Sequence, residues 1–353
     1  SEFGPVLELK DKAFALRHAT QNSFQEIDGW FALNEAQSVQ AFESALSSRK
    51  IPSFNFVVMD ASQNIGFFYN GRIPTRENPK AARKVVQGIS SSAIWPLNRP
   101  IEKLPTFINP PNGWIQSTNQ NPYAVMGKYS MAQDPNNPNV YFEQRLTNRS
   151  FVANELLSTP VKITLDDFID IKFDHSYSEN SRQFKYLMKL AENNPEIAEK
   201  VRPWDRQTNF KNKHAGYNSC LMAHEWLSEM NAQPIPKTED VLSKCQNWFA
   251  EINREQTDEW EKITTITRLG RSYPIQGSVD TLRAVYGTPN AETNSIDMSG
   301  GDGLFYIIEE SLDGRMIYGM HNFGSSRNTE SVHYSDQTFL FSKEALRFIP
   351  DNL

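Results

Sequence analysis

Residues 54–69 have the sequence FNFVVMDASQNIGFFY, and this stretch decides how the first part of the chain folds. Two runs rich in β-branched and aromatic residues, 54–59 and 65–69, are separated by the polar segment 60–64. This pattern predicts a β-hairpin. Asn55 interrupts the first apolar run, and burying its amide without partners would cost about 1–3 kcal/mol. We therefore expect Asn55 to have either hydrogen-bond partners or a chemical task.

The segment before the hairpin predicts a helix. Asn34 and Gln37 have the spacing of an N-cap residue and its partner, which places the helix start at Asn34. Val39, Phe42 and Leu46 then follow at helical spacing. A helix should therefore lead into the first strand of the hairpin.

The segment 77–140, which follows the hairpin, is rich in Pro, Asn and Ser, and its prolines interrupt any long helix or central strand. Trp95 and Trp114 lie within it among several Phe and Ile residues. A disordered linker would not carry this much apolar surface. We therefore predict an ordered but irregular excursion.

The remaining chain predicts helices first and strands afterwards. Thr164 and Asp167 form a capping box, and Thr238 begins a long amphipathic helix. Near the end, Asp313-Gly314 is a favoured turn dipeptide between two β-rich runs. The predicted fold class is therefore α+β.

The chain divides by these patterns into four predicted parts. We interpret 1–3 as an expression-linker remnant, 4–140 as a core part with helix, hairpin and Pro/Asn-rich excursion, 141–267 as a mostly helical region, and 268–353 as a β-rich part.

Composition limits the function classes. The 353 residues are 39% hydrophobic with a net charge of -6, so the chain can bury a real core and shows no electrostatic footprint for nucleic acid or an anionic membrane. No apolar run approaches the roughly 18 residues that span a bilayer, and the N-terminus lacks the residue order of a signal peptide. We therefore expect that the protein is not exported or that its leader is missing. Cys220 and Cys245 are the only cysteines and form either one disulfide or two buried thiols.

Histidines suggest a metal site only weakly. His224-Glu225 begins like a zinc-protease motif, but position 228 is Ser where that motif needs a second His. The favoured interpretation is of partly buried or surface histidines. A metal-dependent hydrolase using His214, His224, Glu225 or His333 remains a rival hypothesis.

Asn55 and Arg76 are the candidates for amide chemistry. A strand Asn can donate its amide protons to an oxyanion, which is worth about 2.7–4 kcal/mol when such a donor is deleted. An Arg close by can orient it through its planar guanidinium. Spacing alone favours a simpler interpretation, a buried network that ties the hairpin together.

Several segments, taken in order, resemble the penicillin acylase family of N-terminal nucleophile hydrolases, and within it the acyl-homoserine-lactone and aculeacin acylase branch. The resemblance covers nearly all the chain from Gly4. Its segments are Gly4-Pro5-Val6-Leu7, the Asn55 hairpin, Gly71-x-x-Pro74-x-Arg76, Asn109-Pro110-Pro111-x-Gly113-Trp114-Ile115-Gln116-x-x-Asn119-x-x-Pro122, Arg145-x-x-x-Arg149, the helix from Thr164, Tyr273-Pro274-x-x-Gly277-x-x-Asp280, and Ser326 to Gln337.

The resemblance implies a fold and an activity. The fold would be part of the αββα N-terminal nucleophile hydrolase architecture, with a large helical insertion and C-terminal strands. In the family a precursor cleaves itself and frees a serine whose own α-amino group, with a pKa near 7.7–8.0, acts as base. The substrate would be an acylated amide, a β-lactam antibiotic or an acyl-homoserine lactone. Asn55 matches the family's oxyanion-hole asparagine, and Arg76 matches the arginine that orients the catalytic centre.

The nucleophile itself has no match in this chain. Ser1 lacks the Asn that follows the family's serine, and Glu2-Phe3 resembles linker sequence. The matched segments belong to the C-terminal part of the family's β chain. The expected partners are therefore the missing N-terminal part of the β chain and the α chain, and the chain alone should be inactive.

The resemblance also implies where the enzyme works and what it binds. Family members are exported, which implies a periplasmic or secreted location. No cofactor is expected in this part, although calcium is expected in the full-length enzyme; Asp60 would supply at most one ligand and fits a turn residue better. Uncovered apolar surface should favour self-association.

A binding module is the second rival hypothesis. The aromatic side chains of residues 95–151 would then form an exposed platform on which a ligand stacks. This hypothesis predicts saturable binding without turnover.

Overall fold

The computed structural model describes residues 2–19, 24–73, 85–88, 94, 104–131, 142, 145–159, 161–311 and 314–350. The chain forms two compact units, Ser1–Arg145 and Leu146–Leu353. Helices and predominantly antiparallel strands occur in both, so the predicted α+β class is confirmed.

The first unit contains two sheets and two helices. Its elements are β1 (Val6–Leu9), β2 (Lys12–Ala15), α1 (Glu26–Asn34), α2 (Val39–Ser47), β3 (Ser53–Met59), β4 (Ile65–Gly71) and β5 (Thr106–Ile108). Strands β1 and β2 pair with each other, and β3, β4 and β5 form an antiparallel sheet in that order. The predicted hairpin is therefore confirmed as β3 and β4, with β3 at the edge of the described sheet.

The predicted helix start at Asn34 is wrong. Asn34 is the last residue of α1, and the next helix, α2, begins only at Val39. Ser38 has an extended backbone, and its Oγ accepts a hydrogen bond from the Ala41 amide at 3.1 Å, so Ser38 is the N-cap. The apolar positions predicted the helix correctly, but two neighbouring polar residues competed for the cap and the later one is used.

Helix α2 and the excursion cover opposite faces of the three-stranded sheet. On one face Phe56, Val58 and Phe68 pack against α2. On the other face Phe67 packs against Val125, Met126 and other residues of the segment 104–131. That segment has little regular structure apart from β5, so the prediction of an ordered, irregular excursion is confirmed over its described residues.

The second unit contains most of the helices and two further sheets. Its helices are α3 (Asn148–Leu157), α4 (Leu165–Lys172), α5 (Arg182–Asn193), α6 (Pro195–Val201), α7 (Ala215–Met230), α8 (Thr238–Glu251), α9 (Trp260–Ile263) and α10 (Thr338–Ser342). Its strands are β6 (Thr264–Arg268), β7 (Arg271–Pro274), β8 (Val285–Asn290), β9 (Ser295–Gly301), β10 (Phe305–Ser311), β11 (Gly314–Met320) and β12 (Arg347–Ile349).

The two sheets of this unit have different topologies. One has the order β7-β6-β9-β8, in which β6 and β9 are parallel, and the other has the antiparallel order β10-β11-β12. The predicted hairpin around Asp313-Gly314 is β10 and β11. The capping box of Thr164 and Asp167 is present at the start of α4, and α8 begins at Thr238 as predicted.

A buried carboxylate connects the helices of the second unit to its loops. Asp280 accepts hydrogen bonds from the Asn148 amide at 2.7 Å, Arg149 Nε at 3.1 Å and Gln183 Nε2 at 2.6 Å. Arg149 and Asp280 belong to two separate segments that carry the family resemblance. Their contact joins these two motifs within the second unit, since Arg149 supplies the charge that pairs with the buried Asp280 carboxylate.

A second buried network lies around Arg283, whose side chain is fully buried. Its guanidinium pairs with Asp302 at 3.2 Å and donates to the Phe341 carbonyl at 2.8 Å. Lys172 reaches the same Asp302 carboxylate at 2.7 Å. Burial lowers the pKa of Lys172, while Asp302 acts in the opposite direction.

No helix among the described residues is long and apolar enough to cross a lipid bilayer.

Candidate functional site

Asn55 lies in the middle of the edge strand β3, directly opposite Tyr69 of β4. Because side chains alternate along a strand, Asn55 shares its face with Val57 and Met59. Val57 is 52% exposed and Met59 is 48% exposed, and Asn55 is exposed as well. This row, which we call the β3 stripe, therefore presents one amide and two apolar side chains to solvent.

The expectation that Asn55 belongs to a buried network is wrong. Its amide makes no hydrogen bond to any of the residues that the structure describes. The buried amide of this hairpin belongs to Asn70, whose Nδ2 donates to the Ile51 carbonyl at 3.0 Å. The sequence offered a weak signal for Asn70, since it ends an apolar run just before a glycine.

Neighbouring packing fixes the backbone that carries Asn55. Tyr69, its cross-strand partner, makes an edge-on contact with Phe142 at a ring-centroid distance of 5.3 Å. On the reverse face, Phe54 and Phe56 contact Trp30 at centroid distances of 5.3 and 5.9 Å. The backbone of the strand is held from both sides, while the Asn55 side-chain amide has no hydrogen-bond partner among the described residues.

Two residues singled out from the sequence, Arg76 and Ser1, lie outside the described residues. The chain leading toward Arg76 is described as far as Ile73. There Arg72 is anchored, because its Nε donates to the Arg49 carbonyl.

Asp60 closes the hairpin turn, as the interpretation of a turn residue predicts. One carboxylate oxygen accepts from the amides of Ser62 and Asn64 at 3.0 Å each, and the other accepts from the Val39 amide at 3.1 Å. The Asn64 side chain donates to both oxygens. These hydrogen bonds, first of all that of Val39, lower the pKa of Asp60.

The arrangement around Asp60 does not fit a calcium ligand. Every contact to its carboxylate comes from an N–H donor, and both oxygens are already engaged. The neighbouring Asn109 side chain is also in use, since its Oδ1 accepts from the Ile65 amide and its Nδ2 donates to Asn64. Calcium needs six to eight oxygen ligands with free lone pairs.

The histidines of the metallohydrolase hypothesis do not converge. His214 precedes α7 and His224 lies ten residues further along it, a separation of about 15 Å. His333 is exposed and pairs with Asp336 at 2.9 Å. The structure therefore brings no two of these histidines to one ion within the part of the chain it describes.

Glu225 and His224 are buried for different reasons. Glu225 pairs with Arg182, which also reaches Glu229 at 3.3 Å, and burial raises the pKa of Glu225 despite the arginine. The His224 ring lies 4.7 Å from the Trp248 ring, and burial lowers the pKa of His224 to about 4. Glu225 is thus a partner of an ion pair and His224 a neutral imidazole.

The two cysteines form a disulfide, which settles the alternative that the sequence left open. Cys220 lies on α7 and Cys245 on α8, so the bond joins the two longest helices of the second unit.

The aromatic residues of 95–151 do not form an open platform within the described part of the chain. Phe142 is fully buried, Phe107 and Tyr123 are half-buried in the packing beside the sheet, and Trp114 is half-buried as well. Tyr129, at 39%, is the exposed one. Trp95 lies outside the described residues.

Comparison with known proteins places these features in a family. The family model for penicillin amidase matches residues 1–350, so the chain belongs to the penicillin amidase family, as the resemblance implied. The structure is similar to that of a thermostable penicillin G acylase from Alcaligenes faecalis. The TM-score is 0.55 at 15% identity, over 99% of this chain and 74% of that one, which shows a shared fold.

Curated relatives include acyl-homoserine lactone acylases named PvdQ. The chain is 21% identical to the protein of Pseudomonas savastanoi pv. phaseolicola, over 99% of this chain and 52% of the relative. It is 19% identical to that of Pseudomonas fluorescens, with the same coverage of both chains. The chain therefore spans about half the length of the curated relatives it matches.

Proposed function

We propose that the chain is the C-terminal β-chain portion of an acylase that hydrolyses a linear amide and releases an acyl group. The observation that carries this proposal is the free, exposed amide of Asn55 on a strand of a chain that matches the penicillin amidase family over residues 1–350. A β-lactam antibiotic and an acyl-homoserine lactone are the substrate classes we propose.

Asn55 would act as an oxyanion donor. When a nucleophile attacks an amide carbonyl, negative charge develops on the oxygen, and a rigidly held N–H stabilises it more than it stabilises the ground state. The β3 stripe places Val57 and Met59 on the same face, where they offer apolar contact to an acyl chain. Arg76 would orient this centre, because it matches the orienting arginine in the family pattern.

The nucleophile would come from another part of the parent protein. Because the chain spans about half the length of its curated relatives, we propose an N-terminal part of the β chain and an α chain as its partners. The exposed edge strand β3 supports this proposal, since an uncovered edge with apolar side chains favours pairing with a further segment. In their absence the chain would be inactive and prone to self-association.

The proposal also concerns where the protein is located and which residues hold a calcium ion. We propose a periplasmic or secreted location, where the disulfide of Cys220 and Cys245 would persist. Any calcium ion of the full-length enzyme would be held by residues other than Asp60, since its carboxylate is already saturated. No step of the proposed reaction depends on that ion.

The test compares the parent polypeptide with this chain. The full-length parent should hydrolyse an N-acyl-homoserine lactone or a phenylacetylated amide, and this chain alone should not. In the parent, Asn55→Ala should lower kcat by about 10²–10³-fold with a small change in KM, because the lost interaction forms in the transition state. Asn34→Ala, an exposed asparagine at the end of α1, is the matched control and should leave kcat unchanged.

Two results would overturn the proposal. Turnover by the isolated chain that survives Ser1→Ala and disappears with Asn55→Ala would show that the chain carries its own nucleophile. A parent enzyme whose kcat is unaffected by Asn55→Ala would remove Asn55 from the oxyanion site.

A further inference from the structure

We propose that Cys220, His224 and Cys245 form a zinc-binding site when the Cys220–Cys245 disulfide is reduced. This site lies in the second unit and is independent of the proposed acylase chemistry. One ligand atom of each residue lies within 4.8 Å of the other two, and all three residues are buried.

Helical geometry brings the three side chains together. Cys220 and His224 are four residues apart on α7, so they project from one face of that helix. Cys245 faces them from α8, with a Cα–Cα distance of 5.8 Å between the two cysteines. Around zinc the sulfurs would stand about 3.8 Å apart, given Zn–S bonds near 2.3 Å in a tetrahedron. Rotation about the side-chain bonds of the cysteines can supply this separation without a large movement of the helices.

The His224 imidazole has a buried nitrogen that is available to bind a metal ion. Its side chain is buried, with 7% of the residue exposed, and its Nε2 has no hydrogen-bond partner among the described residues. A buried polar atom without a partner is costly, so its retention calls for an explanation. A tilted ring contact with Trp248, at an interplanar angle of 58°, limits the orientation of the imidazole.

A small cavity beside Cys220 has room for a water molecule. A cavity of about 30 Å³ borders Cys220 and Trp248, and a water needs roughly 10–15 Å³. Ser219, Trp260 and Thr264 also line this cavity, and each brings a buried polar atom that lacks a partner among the described residues. These groups can hold a water next to the sulfur of Cys220.

Reduction of the disulfide requires an external thiol as the reductant. Two external thiols reduce the Cys220–Cys245 bond, giving two cysteine thiols and one external disulfide. Zinc then binds both sulfurs as thiolates, which releases two protons, and takes the lone pair of the neutral imidazole. The disulfide and the zinc site exclude one another because both need the same sulfur atoms.

The test measures zinc in protein of known redox state. The chain is produced once in a reducing cytoplasm and once in an oxidising compartment, both with zinc supplied, and thiols and zinc are quantified. We expect about one zinc per chain in the reduced protein and none in the oxidised protein. Replacing zinc by Co²⁺ should give thiolate-to-cobalt charge-transfer absorption and the visible bands of a tetrahedral ion.

Variants distinguish this site from adventitious binding. Cys245→Ser should abolish the charge-transfer absorption of a second thiolate, and His224→Gln should weaken zinc affinity by on the order of tenfold or more, since one of three protein ligands is lost. His214→Gln and His333→Gln should leave the affinity unchanged. The oxidised form of His224→Gln keeps the disulfide, so its circular dichroism shows whether the substitution itself disturbs folding.

Four outcomes would overturn the proposal. Stoichiometric zinc in the oxidised protein would place the metal elsewhere, as would an unchanged affinity in Cys245→Ser. A folded, reduced chain that takes up no zinc would show that the cluster is only a disulfide site. If reduction unfolds the second unit, added Zn²⁺ should restore its helical circular dichroism, and failure to do so would equally reject the site.

Discussion

Polar residues have opposite environments in two regions of the molecule. One region is the sheet of β3, β4 and β5, and the other is the buried cluster around Asp280. In the first unit Asn55 is exposed, makes no hydrogen bond to the described residues, and has half-exposed apolar neighbours. In the second unit Asp280 is buried and receives donors from Asn148, Arg149 and Gln183. Both residues lie in segments that carry the family resemblance, yet the amide of Asn55 is left without a partner and the carboxylate of Asp280 is saturated.

This contrast shows how to separate function from folding in such a chain. A polar residue whose hydrogen-bonding capacity is filled by the protein stabilises the fold, because its removal leaves partners unsatisfied. A polar residue that is rigidly placed but has no partner is available for a ligand or for a segment that is still to be added. The predictions below test this distinction, beginning with the largest expected effect.

Asp280→Ala should be the most destabilising substitution, with a loss of about 3–5 kcal/mol in the free energy of unfolding of the second unit. The reason is that the buried Asn148 and Gln183 amides lose their acceptor and Arg149 loses its ion pair with this carboxylate. Chemical denaturation combined with hydrogen exchange resolved by segment would measure it. Glu179→Gln, which breaks the exposed pair with Arg206, is the control and should change stability by less than about 1 kcal/mol.

A small effect of Asp280→Ala would mean that water or another side chain satisfies these donors. The contrast between the two regions would then be one of exposure alone.

Removal of the disulfide should cause the second-largest loss of stability. The bonded cysteines are separated by 25 residues, and the loop-entropy relation gives a loss of about 3.5 kcal/mol for a loop of this size. Cys220→Ala with Cys245→Ala should therefore lower the urea midpoint in metal-free buffer. Addition of a reductant to the double variant serves as the control and should change nothing, whereas it should destabilise the unaltered chain.

A single cross-strand pair tests whether the β3 stripe is uncovered. Phe67 is fully buried and Val57, its direct partner on the same face, is 52% exposed. Phe67→Ala should cost about 3 kcal/mol or more, because it leaves a cavity under the excursion. Val57→Ala should cost less than about 0.5 kcal/mol, as at a surface position.

A large cost for Val57→Ala would show that something covers the stripe in solution. Sedimentation of the unaltered chain beside Val57→Asp would then tell whether the cover is a second copy, since a charge there should disperse such a dimer.

Local patterns predicted many of the elements, and tertiary contacts account for what was missed. The hairpin of β3 and β4, the capping box at Thr164 and the start of α8 follow from periodicity and capping chemistry, which act over a few residues. The choice of Ser38 over Asn34 as N-cap is a competition that a local pattern does not decide. The exposure of Asn55 and the burial of Asn70 depend on which residues pack above the sheet, and these lie far along the chain.

Protonation of Asp60 at low pH should have the smallest effect on stability, and this effect should be confined to the hairpin. Hydrogen bonds from Val39, Asn64 and Ser62 favour its carboxylate, so its pKa in the folded chain lies below the ordinary value near 3.8. The unfolded chain then binds more protons than the folded chain as the pH falls through this range. The stabilisation is therefore complete above about pH 4 and is lost as the pH falls through the folded-state pKa.

Carboxyl chemical shifts followed by NMR from pH 7 to about pH 2 would measure this pKa directly. Asp167 provides the counterpart in the second unit, since the Thr164 hydroxyl and amide lower its pKa in the same direction. Asp60→Asn should abolish the acid-induced shift of the Ser62 amide, which donates to this carboxylate, while leaving the carboxyl titration of Asp167 intact. An ordinary pKa for Asp60 would mean that the turn is open in solution, and the hairpin that carries Asn55 would lose one of its supports.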